Sequence, residues 1–136
     1  MRASMILGAA IAIPAAALAA TVPSALSHIA GGLWEVSGAP GAQTPIRQCF
    51  ADVQILAQFE HRARNCSRTV LSDNGTSTVI DYRCGPSDFG QSQVDVVTPR
   101  ALRIATQGIS DQLPFNYVIQ ARRVGECEKN VSSPRH

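Results

Sequence analysis

The sequence predicts a mainly β protein: a curved antiparallel sheet or small barrel-like meander, with one short helix and two disulfides. Three observations carry that expectation. Apolar and polar residues alternate with period two along several short runs, Gly/Pro/Asn/Asp clusters interrupt those runs, and four widely spaced cysteines follow an apolar leader.

The 136-residue chain suits a single domain, and 12 Lys+Arg against 10 Asp+Glu leave a net charge of only +2. That balance supplies no basic patch for sequence-independent phosphate binding, so no nucleic-acid partner is expected. Hydrophobic residues make up 45% of the chain but aromatic residues only 5%, and the excess sits at one end. Arg2 opens a segment that is uncharged and rich in Ala, Ile and Leu, closing on Ala17-Leu18-Ala19. Small residues at both positions read by a leader peptidase predict an export signal over residues 1–19, cleaved after Ala19. The apolar run carries Pro14 and falls short of the roughly 20 residues that cross a bilayer, so no transmembrane helix is expected in the mature chain. An uncleaved anchor is the alternative. No cysteine stands directly after the cleavage site, the first being Cys49, so no lipid-anchored N-terminus is implied. Residues 20–31 read as a linker, 32–127 as one disulfide-bonded domain and 128–136 as a mobile tail.

The elements follow in order. Leu33-Trp34-Glu35-Val36 starts a strand after Gly31-Gly32, and Gly38-Ala39-Pro40-Gly41 ends it with turn chemistry. Residues 46–50 form the next strand. Asp52 can cap a helix in which Val53, Leu56 and Ala57 recur at helical spacing, ending near His61. Asp73-Asn74-Gly75-Thr76 marks a hairpin between residues 64–72 and 76–84. Gly85-Pro86-Ser87-Asp88 is a turn. Residues 93–98 and 101–107 make a second hairpin about Thr98-Pro99-Arg100, with Val94 and Val96 facing Leu102 and Ile104. Residues 108–114 read as a loop, and Phe115, Tyr117, Ile119 and Ala121 alternate along a last strand.

Export makes two disulfides the economical use of Cys49, Cys66, Cys84 and Cys127. Zinc ligands usually come in close pairs, and these four cysteines are far apart, so neither a metal nor any other cofactor is expected. Three connectivities are possible. If the first hairpin pairs Val70 with Ile80, Cys66 falls opposite Cys84, within the reach of a disulfide, which leaves Cys49 with Cys127. A one-residue slip of register would undo that pairing.

Catalytic signatures are missing from the sequence: it contains no Gly-x-Ser-x-Gly elbow, Gly-rich phosphate loop or His-Glu-x-x-His pair. His28 lies near the mature N-terminus and His136 is the last residue, so His61 is the histidine that the domain could hold inside. It could act as a base with Asp52 or Glu60, but a single histidine at a helix end is more commonly solvated or C-capping. No catalytic residue is assigned. Asn65, Asn74 and Asn130 begin Asn-x-Ser/Thr triplets, although Asn74 already has a turn to form. Trp34 is expected in the core with its N–H paired. Alternation puts Arg122 and Arg123 on opposite faces, one toward solvent and one toward a structural ion pair or buried carboxylate.

Gly32-Leu33-Trp34-Glu35-Val36, Cys49-Phe50 before an acidic helix start, two middle cysteines and Ala121-Arg122-Arg123-Val124-Gly125-Glu126-Cys127 together resemble a family of small exported bacterial proteins, described only as a domain of unknown function. The family's first cysteine is usually followed by a Leu-Thr-Pro-like run, where this chain has Phe50-Ala51-Asp52. The resemblance implies a periplasmic or secreted β-rich protein and hands over no reaction and no site residue. The resulting expectation is a non-enzymatic binding or envelope-associated module, its partner a small apolar ligand or an envelope protein. The alternative is a small extracytoplasmic hydrolase assembled from His61 and scattered Asp and Ser residues.

Overall fold

Seven strands form one antiparallel sheet in the computed structural model, which describes residues 8–12 and 22–128. They are β1 (Gly32–Ser37), β2 (Ile46–Phe50), β3 (Ser67–Asp73), β4 (Ser77–Gly85), β5 (Asp88–Thr98), β6 (Ala101–Ser110) and β7 (Leu113–Gly125). Most of the segment 1–19 expected as an export signal, its expected cleavage site and all but Glu128 of the expected tail lie outside the described residues.

Strands β3 to β7 are a meander, and β1 then joins the far side of β7, giving the order β2-β1-β7-β6-β5-β4-β3. The sheet does not close, since β2 and β3 remain at opposite edges. The chain between those edges forms a helix, Val53–His61, that packs on β5 and β6 and so crosses the inner face. Side-chain bonds tie it to both edges. Arg62 Nε donates to Gln48 Oε1 on β2 at 3.0 Å, and Arg68 on β3 donates to Gln58 Oε1 at 2.6 Å.

This helix starts at the expected cap, where Asp52 accepts from the Gln54 N–H at 2.9 Å. It is a 3-10 helix broken at Gln58, whose φ/ψ of −111°/39° are not helical. Val53, Leu56 and Phe59, spaced by three, are all buried, the spacing that stacks side chains in a 3-10 turn. The break is held by the Gln58 amide, which donates to the carbonyls of His61 and Arg64.

Alternation places Trp34, Val36, Ile80, Val94, Ile104, Ile119 and Ala121 on the inner face, where they meet Leu56, Ala57 and Phe59 of the helix in one core. Trp34 is fully buried as expected. Its indole N–H has no partner among the described residues, against the expectation of a paired donor. The stretch expected as a linker is docked over its described part: Ser24–Leu26 form a short 3-10 helix, and Ala25, Leu26 and Ile29 are buried.

Both hairpin registers match the sequence expectation. Val70 pairs with Ile80, Val94 with Ile104 and Val96 with Leu102. Extending the first register brings Cys66 to Cys84, and the two are bonded with Cα atoms 4.2 Å apart. Cys49 bonds Cys127 across 78 residues of sequence, joining edge strand β2 to the end of β7.

Two expectations need correction. Strand β5 begins at Asp88 rather than at residue 93, because Asp88 already pairs with Gly85 across the Pro86-Ser87 turn. The expected loop at 108–114 is almost entirely strand: Ser110 pairs with Leu113, and only Asp111 and Gln112 make the turn. Both have positive φ, 50° and 68°, a pattern that usually calls for Asn-Gly or Asp-Gly. A distant carboxylate compensates, since Asp88 Oδ1 accepts from the Asp111 N–H at 2.9 Å.

Candidate functional site

The extended ends of β5 and β6 create an unusual row across the inner face: Tyr82, Gly90, Gly108 and Phe115 stand side by side on β4 to β7. The two glycines leave a gap between two aromatic rings, and His61 from the end of the helix fills it. Its ring meets Tyr82 edge-on at 5.5 Å between centroids and Phe115 at 5.8 Å. A side chain at either glycine would intrude, for a Cβ on Gly90 would stand 2.6 Å from the Tyr82 hydroxyl.

His61 is therefore buried, only 4% exposed, and not the solvated helix-end residue expected. Its Nδ1 lies 3.1 Å from the Tyr82 hydroxyl. Its Nε2 faces Asp88 Oδ1 at 3.4 Å, an ion-pair distance without the alignment of a full hydrogen bond. Neither of the partners considered from sequence is used. Asp52 caps the helix and lies 3.4 Å from Arg68, while Glu60 accepts from the Tyr117 hydroxyl at 2.7 Å.

Asp88 is the hub of the cluster. The Asp111 N–H and the Arg64 guanidinium hold its carboxyl below the ordinary carboxylate range. Arg64 also donates to the Cys84 carbonyl at 2.9 Å, which ties the hub to the Cys66–Cys84 bridge. Burial pushes the Tyr82 phenol up to about 12, and burial beside Glu60 also raises that of Tyr117. Deeper still, Ser92 Oγ lies within reach of both the Ala57 carbonyl and Thr106 Oγ1.

A surface cleft of about 470 Å3 opens over this cluster, lined by His61 and Asp88 themselves and by Glu60, Arg62, Arg64 and Asp111 among others. Both cations, Arg62 and Arg64, and carboxylates, Glu60, Asp88 and Asp111, line it. Among the described residues no group of three or more His, Cys, Asp or Glu side chains could hold a metal ion. The four cysteines are all consumed in disulfides, two of them bordering this region. Arg122 is exposed and pairs with Glu35 at 3.2 Å, while Arg123 donates to the Gly31 carbonyl at 3.0 Å. The outward arginine thus carries the ion pair and the inward one a backbone carbonyl.

Sequence reasoning singled out His61 but missed Asp88, Tyr82 and the glycine pair. Asp88 was read only as a turn residue; the signal that could have found the rest is the matched position of Gly90 and Gly108 on adjoining strands, visible only once the strands are extended.

Comparison of the chain with protein-family models, with curated proteins and with solved structures found no match.

Proposed function

We propose that this chain is an exported, extracytoplasmic module without catalytic activity that binds an envelope protein at the rim of the His61 cleft. The observation that carries this reading is that both His61 ring nitrogens face groups of the protein itself, Tyr82 on one side and Asp88 on the other. A histidine held by a carboxylate can act as a base only on a hydroxyl that substrate reaches, and the hydroxyl beside His61 is that of Tyr82, fully buried and with its phenol pushed up to about 12, which weighs against the hydrolase alternative. A small apolar ligand would need a hollow interior, and that space is filled by Trp34, Leu56, Phe59, Ile80 and Ile104. The His61 cleft itself carries charges of both signs, the surface chemistry of a polar protein contact. Two disulfides and the resemblance to small exported bacterial proteins support the compartment.

Affinity purification from the native envelope tests the proposal. The wild-type chain should retain an envelope protein that Asp111→Lys, a charge reversal on the rim, releases. Hydrolysis of an ester or peptide by the wild type, abolished by His61→Gln, would overturn it.

A further inference from the structure

The outer face of the sheet, opposite the bridging helix, is built of cross-strand rows. In one, polar groups satisfy each other: Ser77 Oγ donates to Asp95 at 2.7 Å, and Arg103 lies 3.6 Å from the same carboxylate. Two rows along, the register aligns Asp81, Gln91, Gln107 and Asn116 on β4, β5, β6 and β7. This row has no such internal pairing: neither a salt bridge nor a side-chain hydrogen bond links its four members to other described residues. On one side it is bordered by an apolar shelf, Phe89, Ile109 and Pro114, and on the other by the row Val79, Gln93, Ala105 and Val118. Two recesses of about 310 and 500 Å3 meet at Gln91, Gln107 and Asn116.

We infer that this groove binds a neutral oligosaccharide. Each amide offers both an N–H donor and a carbonyl acceptor, and cross-strand neighbours stand about 4.5 to 5.5 Å apart. The row is thus a ladder of paired donors and acceptors, matching sugar hydroxyls, which donate and accept at once. The shelf suits the C–H face of a pyranose ring. Charge decides against other ligands. No Lys, Arg or His lines either recess, so a phosphate or sulfate finds no counter-charge, and Asp81 alone does not make a cation site. Arg83 packs on the Phe89 ring at 5.5 Å but does not line the groove. A peptide strand cannot add here by backbone pairing, because β5 and β6 are interior strands with both neighbours in place.

The test is titration of the isotopically labelled protein with chitohexaose, a neutral oligomer of N-acetylglucosamine, followed by amide NMR. Saturable shifts are expected at the side-chain amides of Gln91, Gln107 and Asn116. Gln107→Ala and Asn116→Ala, both at exposed positions, should each weaken binding about tenfold or more while leaving the unfolding midpoint unchanged. A sulfated oligosaccharide of equal length should not bind. The inference is overturned if chitohexaose and maltohexaose shift nothing at millimolar concentration, if the sulfated chain or a neutral peptide binds equally well, or if the substitutions leave affinity intact. Retention of an envelope protein at the His61 cleft is read separately, by Asp111→Lys, so the two proposals fail independently.

Discussion

The Tyr82 hydroxyl lies 3.1 Å from His61 Nδ1, and both side chains are buried over a floor made of two glycines. Tyr82→Phe removes one partner and leaves the ring nitrogen unpaired, which should cost about 1 to 3 kcal/mol in chemical denaturation. His61→Ala removes the ring as well and should cost more, about 3 kcal/mol or above, because a cavity opens between the Tyr82 and Phe115 rings. Equal, small losses would show that the gap collapses around whatever occupies it.

Burial of the Tyr82 phenol also has a pH signature. Burial raises the Tyr82 phenol from 10.0 to about 12, so the folded state holds its proton more tightly than the unfolded chain. The stabilisation is complete below the unfolded value and is lost as pH rises toward the folded one. Ultraviolet titration should show neither Tyr82 nor Tyr117, whose phenols are both raised, ionising near the ordinary value until the chain unfolds in alkali.

Gly108 is needed for packing rather than for backbone freedom, since its φ is not positive. A Cβ there would collide with the Phe89 carbonyl oxygen and crowd the Phe115 ring. Gly108→Ala should lower stability by about 3 kcal/mol, at the upper end of overpacking costs. Gly125→Ala, where a Cβ meets nothing within 4 Å, is the control and should be close to neutral. A thermal melt of both variants decides it.

The two disulfides should differ in worth. Loop-closure entropy assigns about 4.5 kcal/mol to Cys49–Cys127, spanning 78 residues, and about 3 kcal/mol to Cys66–Cys84, spanning 18. Paired Cys→Ser variants compared in urea would reverse that order if the arginine and glutamine bonds around Cys66 and Cys84 outweigh chain entropy.

Asp73 links the N-terminal segment to the β3–β4 turn. Desolvation pushes its carboxyl up, but bonds from the Ser24 N–H and hydroxyl and the Gly75 and Ala25 N–H groups outweigh it, leaving the pKa below 3.8. Because the folded value is the lower one, the contact stabilises above the unfolded pKa and is lost as pH falls through the folded one. Hydrogen-exchange protection at residues 24–29, relative to the intrinsic rate at each pH, should fall selectively in acid, and Asp73→Asn should produce the same loss at neutral pH.

The local signals were legible wherever partner strands are neighbours in sequence. Asn74-Gly75 and Thr98-Pro99-Arg100 set turns, alternation set the faces, and together they specified the Val70–Ile80 and Val94–Ile104 pairings and, through the first, the cysteine connectivity. The 108–114 stretch was not legible, because Asp111 and Gln112 adopt their turn with help from Asp88, a carboxylate on another strand. For the same reason the place His61 takes inside the domain was not legible: the gap it fills exists only when Gly90 and Gly108 are brought together.

By itself, then, the sequence determined a mainly antiparallel β domain, its hairpin registers and its two disulfides, all of which follow from short-range alternation and turn chemistry. Only the tertiary structure decided that β1 docks beside β7, that the sheet stays open with a 3-10 helix across its inner face, and that His61, Tyr82 and Asp88 form one cluster. Those outcomes depend on contacts between residues far apart in the chain, where no local pattern records which surfaces will meet.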